Sequence, residues 1–154
     1  MIAWIGLGAN LGDAPKALRA AVHAIQELPG TQVLRESALY RSAPVGATGP
    51  DYHNAVIAVD TALAPHDLLA ALQAIETAAG RERPWRNAPR TLDLDILLID
   101  GMELETPALT VPHPLWRERA FVLRPLAEIA PERVPAEWLA AVQDQRIERL
   151  PQPW

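Results

Sequence analysis

Two aspartates stand two residues apart in "PRTLDLDILLID", residues 89–100, within a run otherwise made of leucine and isoleucine. In an extended strand, residues i and i+2 share a face and lie roughly 6.6 Å apart along the chain. Asp93 and Asp95 therefore point the same way, while Leu92, Leu94 and Ile96 point into a core. Two ionised carboxylates side by side repel each other and are costly to desolvate. A divalent cation removes both penalties, and oxygen donors with no Cys or His close in sequence suit Mg²⁺ or Mn²⁺. The competing reading is a solvated polar face on a half-exposed strand. Arg81, Arg83, Arg86 and Arg90 come immediately before the pair. Metal ions and arginines together are what a polyphosphate needs, because cations bridge its oxygens and guanidinium groups neutralise the charge on the transferred group. The alternative, a basic loop that salt-bridges the aspartates, uses fewer cations than the loop supplies.

Other residues could recognise a ligand. "GPDYHNAV" places Tyr52 and Asn54 on one face at a strand entrance. An aromatic plate beside an amide suits a flat heterocycle with donors and acceptors on its edge, although spacing alone favours core roles for these two and for Phe121, the only phenylalanine. His113 lies between prolines in "TVPHPLWRER", where a structural role is the simpler reading. Gln73 and Glu76, near the end of a helix, read by position as solvated. The glycines of "GLGANLG", residues 6–12, do not make a nucleotide loop. G-x-G-x-x-G would need glycine at Leu11, and no Gly-Lys pair follows. A tight turn into a helix is the favoured explanation.

The elements that must carry these residues follow from periodicity and turn signals. A strand is expected over 2–9, then a helix capped by Asp13 and running to about Leu28, with Leu18, Ala21, Val22 and Ile25 at helical spacing. A second strand is expected over 31–41, a Pro/Gly loop over 42–52, and a central strand, apolar on both faces, over 53–61. A helix over 64–80 starts with Pro65 and stops at Gly80. After the arginine loop comes the strand 91–99, closed by Asp100-Gly101, with a short strand near 102–105 returning as a hairpin. Short helices and turns follow, then a C-terminal helix near 136–147. The order predicts an α+β, ferredoxin-like βαββαβ sandwich with an extra hairpin and C-terminal helices, a single domain over 1–154.

Composition narrows the partners. The 154 residues carry 19 acidic and 14 basic side chains, a net charge of −5, which argues against binding a nucleic-acid backbone. Lysine occurs once, at Lys16, and the remaining cations are arginines, clustered at 81–90 and at Arg117, Arg119 and Arg124. Arginine forks match phosphate oxygens, so a small, highly anionic ligand is expected. The chain has no cysteine, which excludes disulfides and thiolate metal sites. No apolar run is long enough to span a membrane, and the N-terminus lacks a signal-peptide pattern, so a cytoplasmic, monomeric enzyme is expected.

Taken together, "WIGLGANLGD", "SAPVG…GPDYHNAV", "IETAAGR", "PRTLDLDIL" and "LTVPHPLWRERAFVL" resemble the hydroxymethyldihydropterin pyrophosphokinase family, from the first strand to about Pro131. The resemblance implies transfer of the β,γ-diphosphoryl group of ATP to 6-hydroxymethyl-7,8-dihydropterin, with AMP as the other product. It implies two Mg²⁺ ions on Asp93 and Asp95, and Arg81 and Arg90 as catalytic phosphate-handling residues, with Arg83 beside them. It assigns His113 and Arg119 to the nucleotide phosphates, and Gln73, Glu76, Ile96 and Thr110 to the nucleotide site. The pterin is expected to stack between Tyr52 and Phe121, with Asn54 and Ser42 at its edge and Ala43 and Val45 as apolar wall. The chain departs from the family pattern in three places. Asn87 stands where a tryptophan is usual, with Trp85 two residues earlier. Ala108 replaces an arginine, and Pro84 a lysine, of some members. Rival readings are another Mg²⁺-dependent phosphoryl or nucleotidyl transferase, and a non-catalytic ferredoxin-like module that binds RNA or a regulatory ligand. Aliphatic central strands and an acidic chain count against RNA.

Overall fold

The computed structural model describes residues 1–44, 50–80, 92–151 and 153–154. In chain order the elements are β1 (Ile2–Ala9), α1 (Ala14–Gln26), β2 (Thr31–Glu36), β3 (Tyr40–Ser42), β4 (Tyr52–Thr61), α2 (Pro65–Ala78), β5 (Asp93–Ile99), β6 (Leu104–Glu105), β7 (Thr110–Val111), α3 (Ala120–Ile129), α4 (Ala136–Ala141) and β8 (Ile147–Arg149). The main sheet is antiparallel at every pairing and runs β5-β1-β4-β3-β8, with β2 on the same side of β4 as β3. A small hairpin pairs β6 with β7.

β4 lies inside the sheet because both its faces are apolar: Ala55, Val56, Ile57, Ala58 and Val59 are all buried. Ile57 and Val59 meet α1 and α2 on one side, while Val56 and Ala58 meet α3 on the other. The first core is closed by Leu18, Ala21, Val22 and Ile25 of α1 at the expected spacing. Burying each of its large aliphatic side chains contributes roughly 1.5–3 kcal/mol. Asp13 caps α1 by accepting from the Lys16 amide at 3.2 Å. Pro65 opens α2, and Gly80 follows it at φ +82, the left-handed geometry that stops a helix.

Three expectations need correction. The strand expected over 31–41 is two strands, β2 and β3, because Ser37 interrupts it. The Ser37 amide donates to the Val56 carbonyl at 2.9 Å, and its hydroxyl accepts from the Val56 amide at 3.0 Å, so a side chain stands in for a backbone carbonyl and the chain bends. The segment after Asp100-Gly101 pairs with β5 through a single bridge, Ile99–Met102, and its hairpin partner is β7. The helix expected over 136–147 is α4, six residues long, and the chain then extends into β8 along β3.

β5 carries a bulge. Trp4 pairs with Leu98 but Ile5 with Ile96, which leaves Leu97 as the extra residue. Upstream of it, Leu92, Leu94 and Ile96 face the α1–α2 core as expected; Leu97 and Leu98 pack on the α3 side.

Candidate functional site

The face of the sheet opposite α1 and α2 is where Asp93 and Asp95 point, and the first thing they meet is missing side chains. Asp93 pairs with Gly8 and Asp95 with Gly6, while on the far side of β1 the same glycines pair with Asn54 and Val56. Two rows therefore cross the sheet, Asn54–Gly8–Asp93 and Val56–Gly6–Asp95. With strands about 4.8 Å apart, the backbones of Asn54 and Asp93 are about 10 Å apart across a bare floor. A Cβ on Gly8 would come 3.3 Å from Asn54 Nδ2, and one on Gly6 would come 3.4 Å from Leu97 Cδ2. The glycines expected to form a turn thus belong to β1, apart from Gly12, whose φ of +60 does turn the chain toward α1. Period-two glycine inside a strand was the available signal, since glycine there marks close approach by another group.

Over this floor lies a cavity of about 330 Å³, within the usual size range for small-ligand sites. Its lining unites residues far apart in sequence: Ser42 and Ala43 from β3 and its exit, Tyr52 and Asn54 from β4, Asp93 and Asp95 from β5, and Arg119 and Phe121 from the start of α3. Leu7, Ala55, Leu97, Glu118, Val122 and Gln145 also line it and were not foreseen. Asn54 is buried and oriented, because the Ser42 hydroxyl donates to its Oδ1 at 2.6 Å. That leaves Nδ2, over Gly8, as the donor end of the amide. The Arg119 guanidinium lies 5.3 Å from the centre of the Phe121 ring. Tyr52, Asn54 and Phe121 are therefore cavity residues, not core residues as spacing alone suggested.

His113 is outside the cavity lining but close enough to Asp93 to feel its charge. Burial, then the neighbouring Arg119, push its imidazole below its ordinary value, against the opposing influence of Asp93. Its Nδ1 accepts from the Leu115 amide at 3.1 Å, so in the neutral ring the hydrogen resides on Nε2. Its own amide donates to the Leu97 carbonyl at 2.8 Å, which fastens the His113 turn to the outer edge of β5.

The remaining sequence candidates are not in this cavity's lining. Gln73 is exposed on α2. Glu76, expected to be solvated, is buried, and its Oε2 accepts from the Leu94 amide at 2.8 Å, so a helix side chain satisfies the open edge of β5 next to the aspartates. Ile96 puts its side chain in the α1–α2 core. The strand alternation that turns the Leu94 amide outward does the same for the backbone of Ile96. Thr110 lies in β7, paired with Glu105. Val45, Arg81, Arg83, Arg86 and Arg90, together with Pro84, Trp85 and Asn87, lie outside the described residues.

The donors suit Mg²⁺ in a particular way. Among the described residues no cluster of three or more His, Cys, Asp or Glu could form an all-protein cage. Mg²⁺ dehydrates reluctantly and is commonly held by one or two carboxylates plus substrate phosphates. Asp93 and Asp95, half-buried on one face, fit that arrangement.

Known proteins resemble this chain in sequence and in fold. The family model of 7,8-dihydro-6-hydroxymethylpterin-pyrophosphokinase (HPPK) matches residues 4–131. A protein of Pseudomonas aeruginosa named 2-amino-4-hydroxy-6-hydroxymethyldihydropteridine pyrophosphokinase is 49% identical over 155 residues, covering 96% of this chain and 96% of its own. A Bacillus subtilis protein of the same name is 43% identical over 150 residues, covering 97% of this chain and 89% of its own. Among solved structures, an HPPK-DHPS in complex with substrates aligns with TM-score 0.66 at 14% identity over 92% of this chain, which spans 43% of that longer protein. The Plasmodium falciparum HPPK-DHPS aligns with TM-score 0.66 at 16% identity over 93% of this chain, which spans 42% of that protein, and both likenesses concern the fold. With the model match covering most of its length and relatives at this identity, the chain belongs to the 7,8-dihydro-6-hydroxymethylpterin-pyrophosphokinase family.

Proposed function

We propose that this cavity is where the chain transfers the diphosphoryl group of ATP to the hydroxymethyl group of 6-hydroxymethyl-7,8-dihydropterin, giving AMP and the pterin diphosphate used in folate biosynthesis. The observation that carries the assignment is the glycine floor. It separates an amide end, Asn54 with Ser42, from an acidic end, Asp93 with Asp95, by two strand spacings, and Phe121 and Tyr52 stand over it. A flat bicyclic ring lying across Gly8 presents its edge to Asn54 and its hydroxymethyl arm to the aspartates.

In this reading Phe121 and Tyr52 enclose the ring, Ala43 and Val45 wall it, and Ser42 fixes the amide that reads it. Asp93 and Asp95 would hold two Mg²⁺ ions, which when bound neutralise the triphosphate and align attacking and leaving oxygens. Arg119 and the Nε2–H of neutral His113 donate to phosphate oxygens, as do Arg81, Arg83 and Arg90. The pterin hydroxyl gives up its proton to a carboxylate oxygen of Asp93 or Asp95 and forms a new O–P bond at the β-phosphorus in line with the bond to AMP that breaks, and positioning and charge supply most of the acceleration. The adenosine lies along the outer edge of β5, meeting the backbone of Ile96 and the residues near Thr110 and Gln73. Glu76 serves that side by fixing β5.

The strand order β5-β1-β4-β2, with α1 joining β1 to β2 and α2 joining β4 to β5, supports reading the fold as ferredoxin-like, carried by one domain. No helix among the described residues is long and apolar enough to cross a membrane, and we take the working form to be a cytoplasmic monomer. The test is product identity. With ATP, Mg²⁺ and the hydroxymethylpterin, AMP should form in step with pterin consumption and not without pterin. ADP in place of AMP assigns another transfer, and no turnover assigns a binding module.

A further inference from the structure

The segment that follows α4 lies beyond the stretch matched by the family model, residues 4–131, yet it reaches the cavity. Gln145 lines it, and both ends of the Gln145 amide are committed to the start of α3. Oε1 accepts from the Ala120 amide at 2.9 Å, and Nε2 donates to the Glu118 carbonyl at 2.8 Å. Arg119, the residue between them, has no side-chain cap to offer the helix, and the first amides of a helix have no partner within it. Gln145 therefore acts as a cap brought from 25 residues away. It straddles the two peptide groups that set the direction of Arg119 and lead into Phe121.

The next residues bind the opposite wall. The Arg146 carbonyl accepts from the Ala43 amide at 3.4 Å, the Arg146 guanidinium meets Asp51 at 2.9 Å, and Ile147 pairs with Ser42. Consecutive residues thus hold the Phe121 wall and the Ser42–Ala43 wall at a fixed separation. Resting on the pterin reading above, we infer that Gln145 is a positioning residue for the aromatic substrate: it sets the gap into which the ring slides, without touching the reacting atoms.

The test uses the full chain and compares Gln145→Met, which keeps length and loses both hydrogen bonds, with Gln145→Glu, which keeps the acceptor for Ala120. The expected result is a KM for the pterin raised roughly tenfold in Gln145→Met and less in Gln145→Glu, with kcat at saturation little changed. The exposed neighbour variant Gln143→Met should match the parent. Equal pterin KM in parent and Gln145→Met overturns the inference, as does equal damage to kcat and to both substrates' KM. Exchange of the Ala120 amide, which needs no turnover, should quicken in Gln145→Met. Unchanged exchange overturns the inference even if the parent chain makes no AMP, an outcome that by itself would refute only the assigned reaction.

Discussion

Replacing Gly8 with alanine separates what the glycine floor does for the fold from what it does for the ligand. Gly8 is extended backbone within β1, so an alanine fits its geometry. Substituting alanine for glycine in compatible backbone stabilises by roughly 0.4–1 kcal/mol through the unfolded chain. Against this, the new Cβ would meet Asn54 Nδ2 at 3.3 Å and Tyr52 Cδ1 at 3.8 Å. The first contact requires the amide to yield by a few tenths of an ångström, strained against its 2.6 Å bond from Ser42. The two effects are of similar size, so Tm should move by no more than about 2–4 °C, the equivalent of about 1 kcal/mol in a chain of this size. The ligand has no such compensation. A methyl group on the floor lifts the ring by about an ångström, a misplacement that typically costs about 10²-fold in rate, or about 2.7 kcal/mol of barrier. Thermal unfolding and pterin-dependent AMP formation on the same preparation make the comparison. A Gly8→Ala protein with kcat/KM within about threefold of the parent, less than 1 kcal/mol, would show that no ring lies on that floor. A loss of activity that only follows a loss of fold would instead refute the small shift expected in Tm.

Other outcomes can be stated more briefly. Asp93→Ala and Asp95→Ala should each abolish AMP formation and its response to added Mg²⁺ while leaving the circular dichroism spectrum close to the parent, because both side chains lie on the cavity face. Glu76→Ala removes the acceptor of the buried Leu94 amide and should destabilise by about 1–3 kcal/mol in denaturant unfolding, whereas Glu76→Gln, which keeps an acceptor, should lose less. The His113 imidazole should titrate below 6.5 in NMR, since burial and Arg119 both disfavour its charged form. Its folded value being depressed, the neutral ring's contribution is intact above the unfolded value and is lost as acid protonates the unfolded chain first. Arg119→Ala should move the midpoint upward, and a midpoint above 6.5 in the parent would refute the environment described.

Much of this arrangement was legible in the sequence because it depends on local period. The i, i+2 spacing of Asp93 and Asp95 among leucines fixed their shared face, and the apolar run of β4 fixed its central place. What escaped depended on contacts across the chain. Ser37 reads as an ordinary strand residue until its hydroxyl is seen replacing a carbonyl opposite Val56. Glu76 has the spacing of a solvated helix residue, and only the neighbouring open edge of β5 makes it a buried acceptor. Tyr52 and Phe121 looked like core residues because nothing in a one-dimensional pattern reveals that the sheet between them is bare. The residues after α4 carry a weak helical pattern, and β3 overrides it by offering an unpaired edge.

That last strand has a consequence for how the molecule can be watched. Its link to β3 joins positions as distant as Arg41 and Glu148, 107 residues apart, so closing it carries a large entropic cost for few bonds. It buries little, with Glu148 and Arg149 both exposed. Such an element opens before the rest of the sheet, and anything that draws the two cavity walls together must slow its opening. A dye or isotope label near Glu148, remote from the chemistry, would then act as a gauge of whether the enzyme is occupied.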